Sequence, residues 1–322
     1  MKDELHTSML PEITTPGVHV SIQQHSPRCF SMKLTLVQQP ALALDFSRFF
    51  AEFRTGMSIA DVMQLPVYEG NRRSTARDWL AFEEGNHDSI ELKGDLSRCD
   101  GLGHQWSQGE LVIHSHCGSF TGSEMSGGRM IIHGDCGNDC AAAMRGGQLF
   151  VLGNAGDRLG GPLYGAMAGM QGGEILVAGK TGRHTGQFMR RGLIAACGTI
   201  GAQAGHGAIA GTIATMKGFG QASGFELKRA TLISMSPLPI NASADATSAH
   251  PLNAAGSWRY AGLISSNYLN LLFRRLNRLY SQLDHQLAEQ WSFHEQKPPM
   301  FDRYLGDQRS IGRGEWLIAR QT

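Results

Sequence analysis

The sequence lacks the features that mark membrane, secreted and nucleic-acid-binding proteins. Only 18% of its 322 residues are charged and the net charge is +1, which gives no electrostatic basis for binding nucleic acid or an anionic membrane. No apolar run approaches the roughly 18 residues of a transmembrane helix, and the N-terminus does not show the pattern of a signal peptide. Six cysteines without a secretory context indicate a reducing compartment. We therefore expect a cytoplasmic protein with no nucleic-acid or membrane partner.

Glycine, by contrast, is abundant and recurs at a fixed period. A first column of glycines is separated by steps of 19, 19, 26, 19 and 19 residues; it consists of Gly109, Gly128, Gly147, Gly173, Gly192 and Gly211. We call these six residues the mark glycines. A second column lies nine residues after the marks and consists of Gly118, Gly137, Gly156, Gly182, Gly201 and Gly220. Self-similarity at a period near twenty residues is typical of a solenoid.

The residues that follow each mark glycine have the pattern of a strand. The second and fourth positions are apolar, as in Leu111 and Ile113, so one face of each strand points inward. The third position is apolar too, as in Val112 and Phe150, which predicts that something covers the outer face. No period has room for an ordinary helix. The sequence therefore predicts a mainly β fold, a right-handed parallel β-helix of about seven coils whose strands lie about 4.8 Å apart.

Three regions are predicted along the chain. Residues 1–87 form a small α+β region with short helices beginning near Asp45 and Ser58 and a strand at 78–83. Residues 88–230 form the coils, the first of them irregular. Residues 231–322 contain a linker, one long helix over about 265–288, and a terminal strand at 314–319.

The predicted C-terminal helix carries a heptad-like seam of leucines. The seam consists of Leu269, Leu272, Leu276, Leu279 and Leu283. Two interpretations stay open: the helix packs on the side of the coils, or it docks a partner protein. The seam and the apolar outer positions of the strands would both suit a large, permanent interface with another chain.

One step of the repeat is seven residues longer than the others, and the inserted residues lie within 161–170. Insertions in solenoids bulge from one face and often form a binding surface. The sequence does not decide whether this one contacts the carrier of a substrate or a partner protein.

Cysteines and histidines cluster between positions 114 and 140 in a way that suggests a metal site. However, Cys117 and Cys136 occupy the same position of successive periods, as do His114 and His133. The gap between Cys136 and Cys140 is also unlike that of a zinc knuckle. We favour a structural ladder over a metal site. The methionines at 125, 144 and 189 also share one position, which indicates core filling.

Carboxylates are sparse in the coils, and they form no convincing catalytic pair. Glu110 and Glu174 share a column but lie about three coils apart, and Asp135 and Asp139 are weak candidates for an acid pair. The sequence therefore predicts no catalytic, cofactor-binding or metal-binding residue on this chain.

Two stretches carry a resemblance to a known family. Gly-Gly-Arg-Met-Ile-Ile-His-Gly-Asp-Cys-Gly at 127–137 and Gly-Gly-Glu-Ile-Leu-Val-Ala-Gly-Lys-Thr-Gly at 172–182 resemble the GXGXG family. That family includes the C-terminal β-helix of glutamate synthase and the C-type subunit of formylmethanofuran dehydrogenase. The segments Val67–Asn71, Arg190–Ala195 and Ile209–Ile213 look like this C-type subunit. The resemblance covers about 30–230, and 235–311 match poorly.

The resemblance implies a non-catalytic scaffold in a multi-subunit complex. One setting is the bacterial formyltransferase/hydrolase complex, which moves a formyl group between tetrahydromethanopterin and a methanofuran-like carrier and releases formate. The other is the molybdenum or tungsten formylmethanofuran dehydrogenase. The implied partners are amidohydrolase-like, formyltransferase and B-type subunits, with no cofactor on this chain. A glutamate-synthase-type scaffold and a stand-alone polysaccharide enzyme remain as alternatives.

Overall fold

The computed structural model describes residues 32–84, 89–236, 257–265, 267–291, 300–308 and 310–320. Its N-terminal elements are β1 (Met32–Leu36), β2 (Leu44–Asp45), α1 (Ser47–Glu52), α2 (Ile59–Met63), β3 (Pro66–Glu69), β4 (Arg72–Thr75), α3 (Ala76–Trp79) and β5 (Leu80–Glu84). The repeat contains β6 (Ser89–Lys93), β7 (Cys99–Asp100), β8 (Glu110–Ile113), β9 (Arg129–Ile132), β10 (Gln148–Val151), β11 (Glu174–Val177), β12 (Leu193–Ala196), β13 (Thr212–Thr215) and β14 (Thr231–Ser234). The C-terminal elements are β15 (Trp258–Ile264), α4 (Asn267–Tyr280), α5 (His285–Gln290), β16 (Phe301–Gly306) and β17 (Gly314–Ala319).

The fold is mainly β, with a large and mostly parallel sheet and few helices. Thirteen strands form this sheet in the order β15-β16-β17-β14-β13-β12-β11-β10-β9-β8-β6-β1-β5. From β6 to β14 its members follow chain order, since each period adds the next parallel strand. The register reproduces the sequence period: Leu149 pairs with Met130 on one side and with Ile175 on the other. The longer step between β10 and β11 therefore leaves the register unchanged.

A second ladder of single parallel bridges runs beside the sheet. It links Leu96, Cys117, Cys136, Ala155, Thr181, Ile200 and Phe219 in succession. From Cys117 onward, each is followed directly by a glycine of the second column, where consecutive turns nearly touch. A Cβ on Gly201 would lie 2.6 Å from the carbonyl carbon of Gly182 and 2.9 Å from the backbone nitrogen of Arg183. Glycine is needed here because the neighbouring backbone leaves no space for a side chain.

Each turn closes through an arc in which alternate residues have a left-handed backbone. In one turn these are Phe120 (φ 58°), Gly122 (φ 69°) and Glu124 (φ 55°). Their N–H groups bond alternately to the next and the previous turn: Phe120 donates to Asn138 O, Gly122 to Leu102 O and Glu124 to Ala142 O. This conformation costs a non-glycine residue about 1 kcal/mol or more, and the bonds between turns offset that cost. The arc therefore holds side chains where sequence patterns would favour glycine.

The N-terminal region differs from the prediction in detail. The predicted helix near Ser58 is present, and the Ser58 side chain accepts a hydrogen bond from Asp61 N. The predicted strand at 78–83 is partly wrong, because α3 occupies Ala76–Trp79 and the strand begins at Leu80. A capping box between Thr75 and Asp78 starts that short helix. Residues 1–31 lie outside the described residues.

The single long helix predicted over 265–288 is wrong, because the structure has two helices there. α4 ends at Tyr280, and the side chain of Asp284 accepts hydrogen bonds from Gln286 N and Leu287 N at the start of α5. The aspartate acts as an N-cap, which favours a new helix start over continuation. Strands β15 and β16 were not predicted. β17 has the predicted bounds and pairs in parallel with β14, whereas most of the predicted linker (237–256) lies outside the described residues.

The close approach of the turns makes a testable prediction about Gly201. Gly201→Ala places a methyl group against the backbone of the previous turn, so we expect a loss of at least about 3 kcal/mol of unfolding free energy, at or above the upper end for overpacking. Gly165→Ala is the matched control: Gly165 has φ 77° and open space around its Cβ position, so it should lose only about 1–2 kcal/mol. Urea unfolding measures both losses of unfolding free energy. Equal losses would contradict the prediction, because they would show that neighbouring turns move apart at Gly201 without a cost in free energy.

Candidate functional site

The outer face of the parallel sheet was a candidate docking surface, and the structure shows what covers it. Helices α4 and α5 lie on this face and form one buried apolar cluster with it. The sheet contributes Phe150, Leu176, Leu193, Ala195, Cys197, Ala214, Ile233, Leu317 and Ala319, and the C-terminal region contributes Leu269, Leu272, Phe273, Leu276, Leu279, Tyr280, Ala288, Trp291 and Phe301. Of the two interpretations of the leucine seam, the structure therefore supports packing on the side of the coils over docking of a partner, since the seam and the outer face cover each other.

Polar contacts fix α4 at several points along this face. Arg275 donates two hydrogen bonds to Glu174, Nε to Oε1 at 2.9 Å and Nη2 to Oε2 at 2.7 Å. The buried hydroxyl of Tyr280 lies 3.1 Å from Val177 O and 3.0 Å from Ala195 O, and burial raises its pKa well above the usual value. Near the start of the helix, the hydroxyls of Tyr268 and Thr212 are 2.9 Å apart. These bonds set the position of the helix along the stack.

The cysteines that suggested a metal cluster lie in the interior. Cys117 and Cys136 are adjacent members of the second ladder, and Cys99, Cys117, Cys136 and Cys140 are all buried with free thiols. Burial raises the pKa of Cys99 to about 12 and also raises the pKa of Cys117. Within the described residues, no group of three or more potential ligands is arranged to hold a metal ion. The raised pKa values favour the protonated form of Cys99 and Cys117, and all four side chains pack as small apolar groups.

The histidines of the same region are also members of ladders. The rings of His114 and His133 stack with centroids 5.2 Å apart and planes 12° apart, and His114 Nε2 lies 3.1 Å from Glu91 Oε2. His116 Nδ1 accepts a hydrogen bond from Asp135 N at 2.9 Å. Burial and then the neighbouring His114 lower the pKa of His133. The structure thus brings the predicted residues together in columns.

The insertion bulges from the stack and presents two large apolar side chains. Tyr164 is 76% exposed and Met167 is 68% exposed. The base of the insertion is held by Arg158, which forms a bidentate pair with the buried carboxylate of Asp139 and donates to the Tyr164 hydroxyl at 3.0 Å. The ring of Phe120 packs edge-on against Tyr164 at 5.6 Å. Asp139 is therefore a structural anchor, and it is not paired with Asp135.

A group of rings on the arc was missed by the sequence reasoning. His206 lies 6.1 Å from His184, 5.5 Å from Phe188 and 5.3 Å from Phe225, measured between ring centroids. The Nδ1 atoms of both histidines are buried without a hydrogen-bond partner, and burial lowers the pKa of His184. The sequence contained a signal that could have predicted this group, since its histidines and phenylalanines fall near the arc positions of successive turns. The two histidine rings therefore pack side by side within this group of aromatic side chains.

A small cavity of about 220 Å³ separates α1 from the first complete turn, and Phe50, Arg54 and Trp106 line part of it. The guanidinium of Arg54 donates to Ala51 O at 2.6 Å and to Phe53 O at 2.7 Å. Gln108 Nε2 likewise donates to Thr55 Oγ1 at 3.0 Å. The polar groups of this cavity are thus engaged with the chain itself.

No helix in the described parts of the chain is both long and apolar enough to cross a membrane.

Comparison with known proteins gives a similarity to a solved structure. No protein-family model matches the chain, and no curated protein matches it. Among solved structures, the chain is similar to one in the X-ray crystal structure of the formyltransferase/hydrolase complex (FhcABCD) from Methylorubrum extorquens in complex with methylofuran. The identity is 26%, the TM-score is 0.72, and the alignment covers 90% of this chain and 100% of the other. The similarity therefore spans the whole of that chain.

Covering of the outer face by α4 can be tested with two leucines of the same helix. Leu276 is fully buried against the sheet and Leu271 is 65% exposed. We expect Leu276→Ala to lower the unfolding free energy by about 2–5 kcal/mol and Leu271→Ala to change it by less than about 0.5 kcal/mol. Chemical denaturation followed by circular dichroism gives both values. A small effect of Leu276→Ala would mean that the helix does not rest on the sheet in solution.

Burial of the thiols predicts their reactivity. In a Cys29→Ser background the five remaining cysteines are all buried, so at pH 8 we expect less than one thiol per chain to react with a thiol-specific reagent. All five should react after unfolding in guanidinium, because the thiolate is the reactive form and burial disfavours it. Rapid reaction of the folded chain would contradict the ladder interpretation.

Proposed function

We propose that this chain is a non-catalytic scaffold, the counterpart of the C-type subunit, in a one-carbon complex. The complex handles formyl groups on a methanofuran-like carrier and on tetrahydromethanopterin, and its reaction is that of the bacterial formyltransferase/hydrolase complex, which releases formate. In this proposal the repeat is a right-handed parallel β-helix, and the chain acts in the cytoplasm.

One observation carries the proposal, and it is the match to a chain of the FhcABCD crystal structure. A TM-score of 0.72 over 90% of this chain and 100% of that chain means that the similarity is not limited to a few turns of the repeat. At 26% identity the similarity extends to the sequence as well. The other chain is part of an assembly of several subunits that contains methylofuran, which supports a role of this chain in an assembly of the same kind.

The chemistry of the described residues agrees with a structural role. Burial raises the pKa values of the Cys99 and Cys117 thiols, which disfavours both nucleophilic attack and metal binding by these two groups. The Asp139 carboxylate is engaged by Arg158, and Glu174 is engaged by Arg275. Polar groups of this kind hold the turns and the C-terminal helix in place. Accordingly, we place no active site and no cofactor on this chain.

The proposed partners carry the reaction. They are amidohydrolase-like, formyltransferase and B-type subunits, and the assembly is a hetero-oligomer. The first alternative is the C-type subunit of a molybdenum or tungsten formylmethanofuran dehydrogenase, and the second is a scaffold of the glutamate synthase kind. These alternatives share the repeat and differ in the partners.

Purification of the native assembly tests the proposal. The tagged full-length chain is expressed in its own host, isolated at low salt, and the retained proteins are identified by mass spectrometry. We expect an amidohydrolase-like protein and a formyltransferase in fixed proportion, together with formyl transfer activity in the eluate. Molybdenum or tungsten in the eluate would instead assign the dehydrogenase, and a glutaminase or flavoprotein partner would assign the glutamate synthase type. A chain that elutes alone contradicts all three.

A further inference from the structure

Cations recur at one corner of the stacked turns. The corner consists of the two residues that precede each mark glycine and the equivalent pair before Ala230. On the later turns these pairs are Arg190 with Arg191 and Lys228 with Arg229, and all four side chains are exposed. Within the described part of the chain, none of the four forms an ion pair with a carboxylate. Because the net charge of the chain is only +1, this concentration of positive charge is local.

The backbone at this corner is held by the ladder between turns. Arg190 N donates to Met170 O at 2.8 Å, Lys228 N to Ala208 O at 2.9 Å and Arg229 N to Ile209 O at 3.1 Å. The two cation pairs lie two turns apart, which corresponds to about 10 Å at the spacing of neighbouring strands. The charges therefore project from fixed points on a rigid surface.

The exposed side of α4 adds apolar surface at the same edge. The Tyr268 hydroxyl bonds to Thr212, the first residue of β13, and β13 belongs to the turn between the two cation pairs. Arg275 bonds to Glu174 at the start of β11, so the part of α4 from Tyr268 to Arg275 runs along the beginnings of the strands. Leu271 lies between these anchors, three residues after Tyr268 and four before Arg275, on a shared helix face. Tyr268 is 53% exposed and Leu271 is 65% exposed.

Together these side chains have the composition of a protein interface. We define the corner patch as Arg190, Arg191, Lys228, Arg229, Tyr268 and Leu271. Tyrosine and arginine are enriched at interfaces, and apolar centres with polar rims are typical of them. Clustered charges of one sign repel one another and favour a surface of opposite sign. An exposed tyrosine and leucine gain from burial against apolar surface, which a small anion does not supply.

We propose that the corner patch is the docking site of a protein partner whose contact surface has an apolar centre flanked by carboxylates. The inference rests on the proposed function in that the partner belongs to the same assembly. It deepens that proposal by assigning the contact to this corner and by excluding the outer face of the sheet, which α4 and α5 already cover.

Charge reversal tests the patch. Arg190→Glu with Arg191→Glu, and separately Lys228→Glu with Arg229→Glu, are introduced into the tagged full-length chain and expressed in the host. The matched control is Lys180→Glu with Arg183→Glu, which makes the same charge change at two exposed positions beside the second ladder. Retained partners are quantified by mass spectrometry at about 50, 150 and 300 mM salt, spanning the range over which ionic screening strengthens.

We expect each corner variant to lose one protein partner at least tenfold at 150 mM salt, while the control retains it as the wild type does. The wild type should release the same partner as the salt concentration rises. Thermal melting of each purified variant within 2–3 °C of the wild type, roughly the shift for less than 1 kcal/mol in a domain of this size, excludes misfolding as the cause. Leu271→Ala provides an uncharged variant and should weaken retention of the same partner.

Several results would overturn the assignment. Unchanged retention in both corner variants would do so, as would loss of a bound anionic small molecule with every protein partner retained. Equal loss in the control would show a general effect of net charge. If the wild type retains partners unrelated to formyl transfer, the proposed function fails. The same variants then still test whether the corner patch binds one of those partners. If the wild type retains no protein, both proposals fail.

Discussion

Backbone hydrogen bonding between successive turns is the constraint on which the rest of this structure depends. Each strand pairs in register with the strand one period earlier, and each arc bonds alternately to the turns on both sides. Close approach at the second glycine column leaves no room for a Cβ atom, as Gly201 shows. Residues one period apart are consequently stacked, whatever their chemistry. This is why cysteines, histidines and methionines form columns that resemble functional clusters in the sequence.

The same constraint determines which surfaces remain for partners. Stacking places one apolar row on the inner face of the sheet and another on its outer face, and exposure of the outer row to water would be unfavourable. The C-terminal region resolves this within the chain, since α4 and α5 bury it and Arg275 and Tyr280 fix α4 in place. The exposed surface includes the insertion with Tyr164 and Met167 and the cationic corner. Partners would then bind a surface that is already folded, and the chain would not need them to complete its core.

The periodic part of the fold could be predicted from sequence because its signal is repeated in every turn. The strands after the mark glycines, the inward positions such as Leu149, and the methionine column all follow from spacing alone. Non-periodic features were predicted less well. The break between α4 and α5 depends on one N-cap, Asp284. Strands β15 and β16 are specified by tertiary pairing, β15 with β16 and β16 with β17. The leucine seam showed that a surface must be covered, but periodicity does not say by what. The arc positions escaped prediction because non-glycine residues there adopt a backbone that patterns assign to glycine.

Hydrogen–deuterium exchange on the isolated chain and on the assembled complex tests the central claim, which is that the chain covers its own outer face. The account predicts that amides of α4 and of β10–β13 are strongly protected already in the isolated chain, before any partner binds. Rapid exchange of α4 in the isolated chain, with protection appearing only in the complex, would contradict the account. In that case a partner protein, and not the C-terminal region, would complete the core.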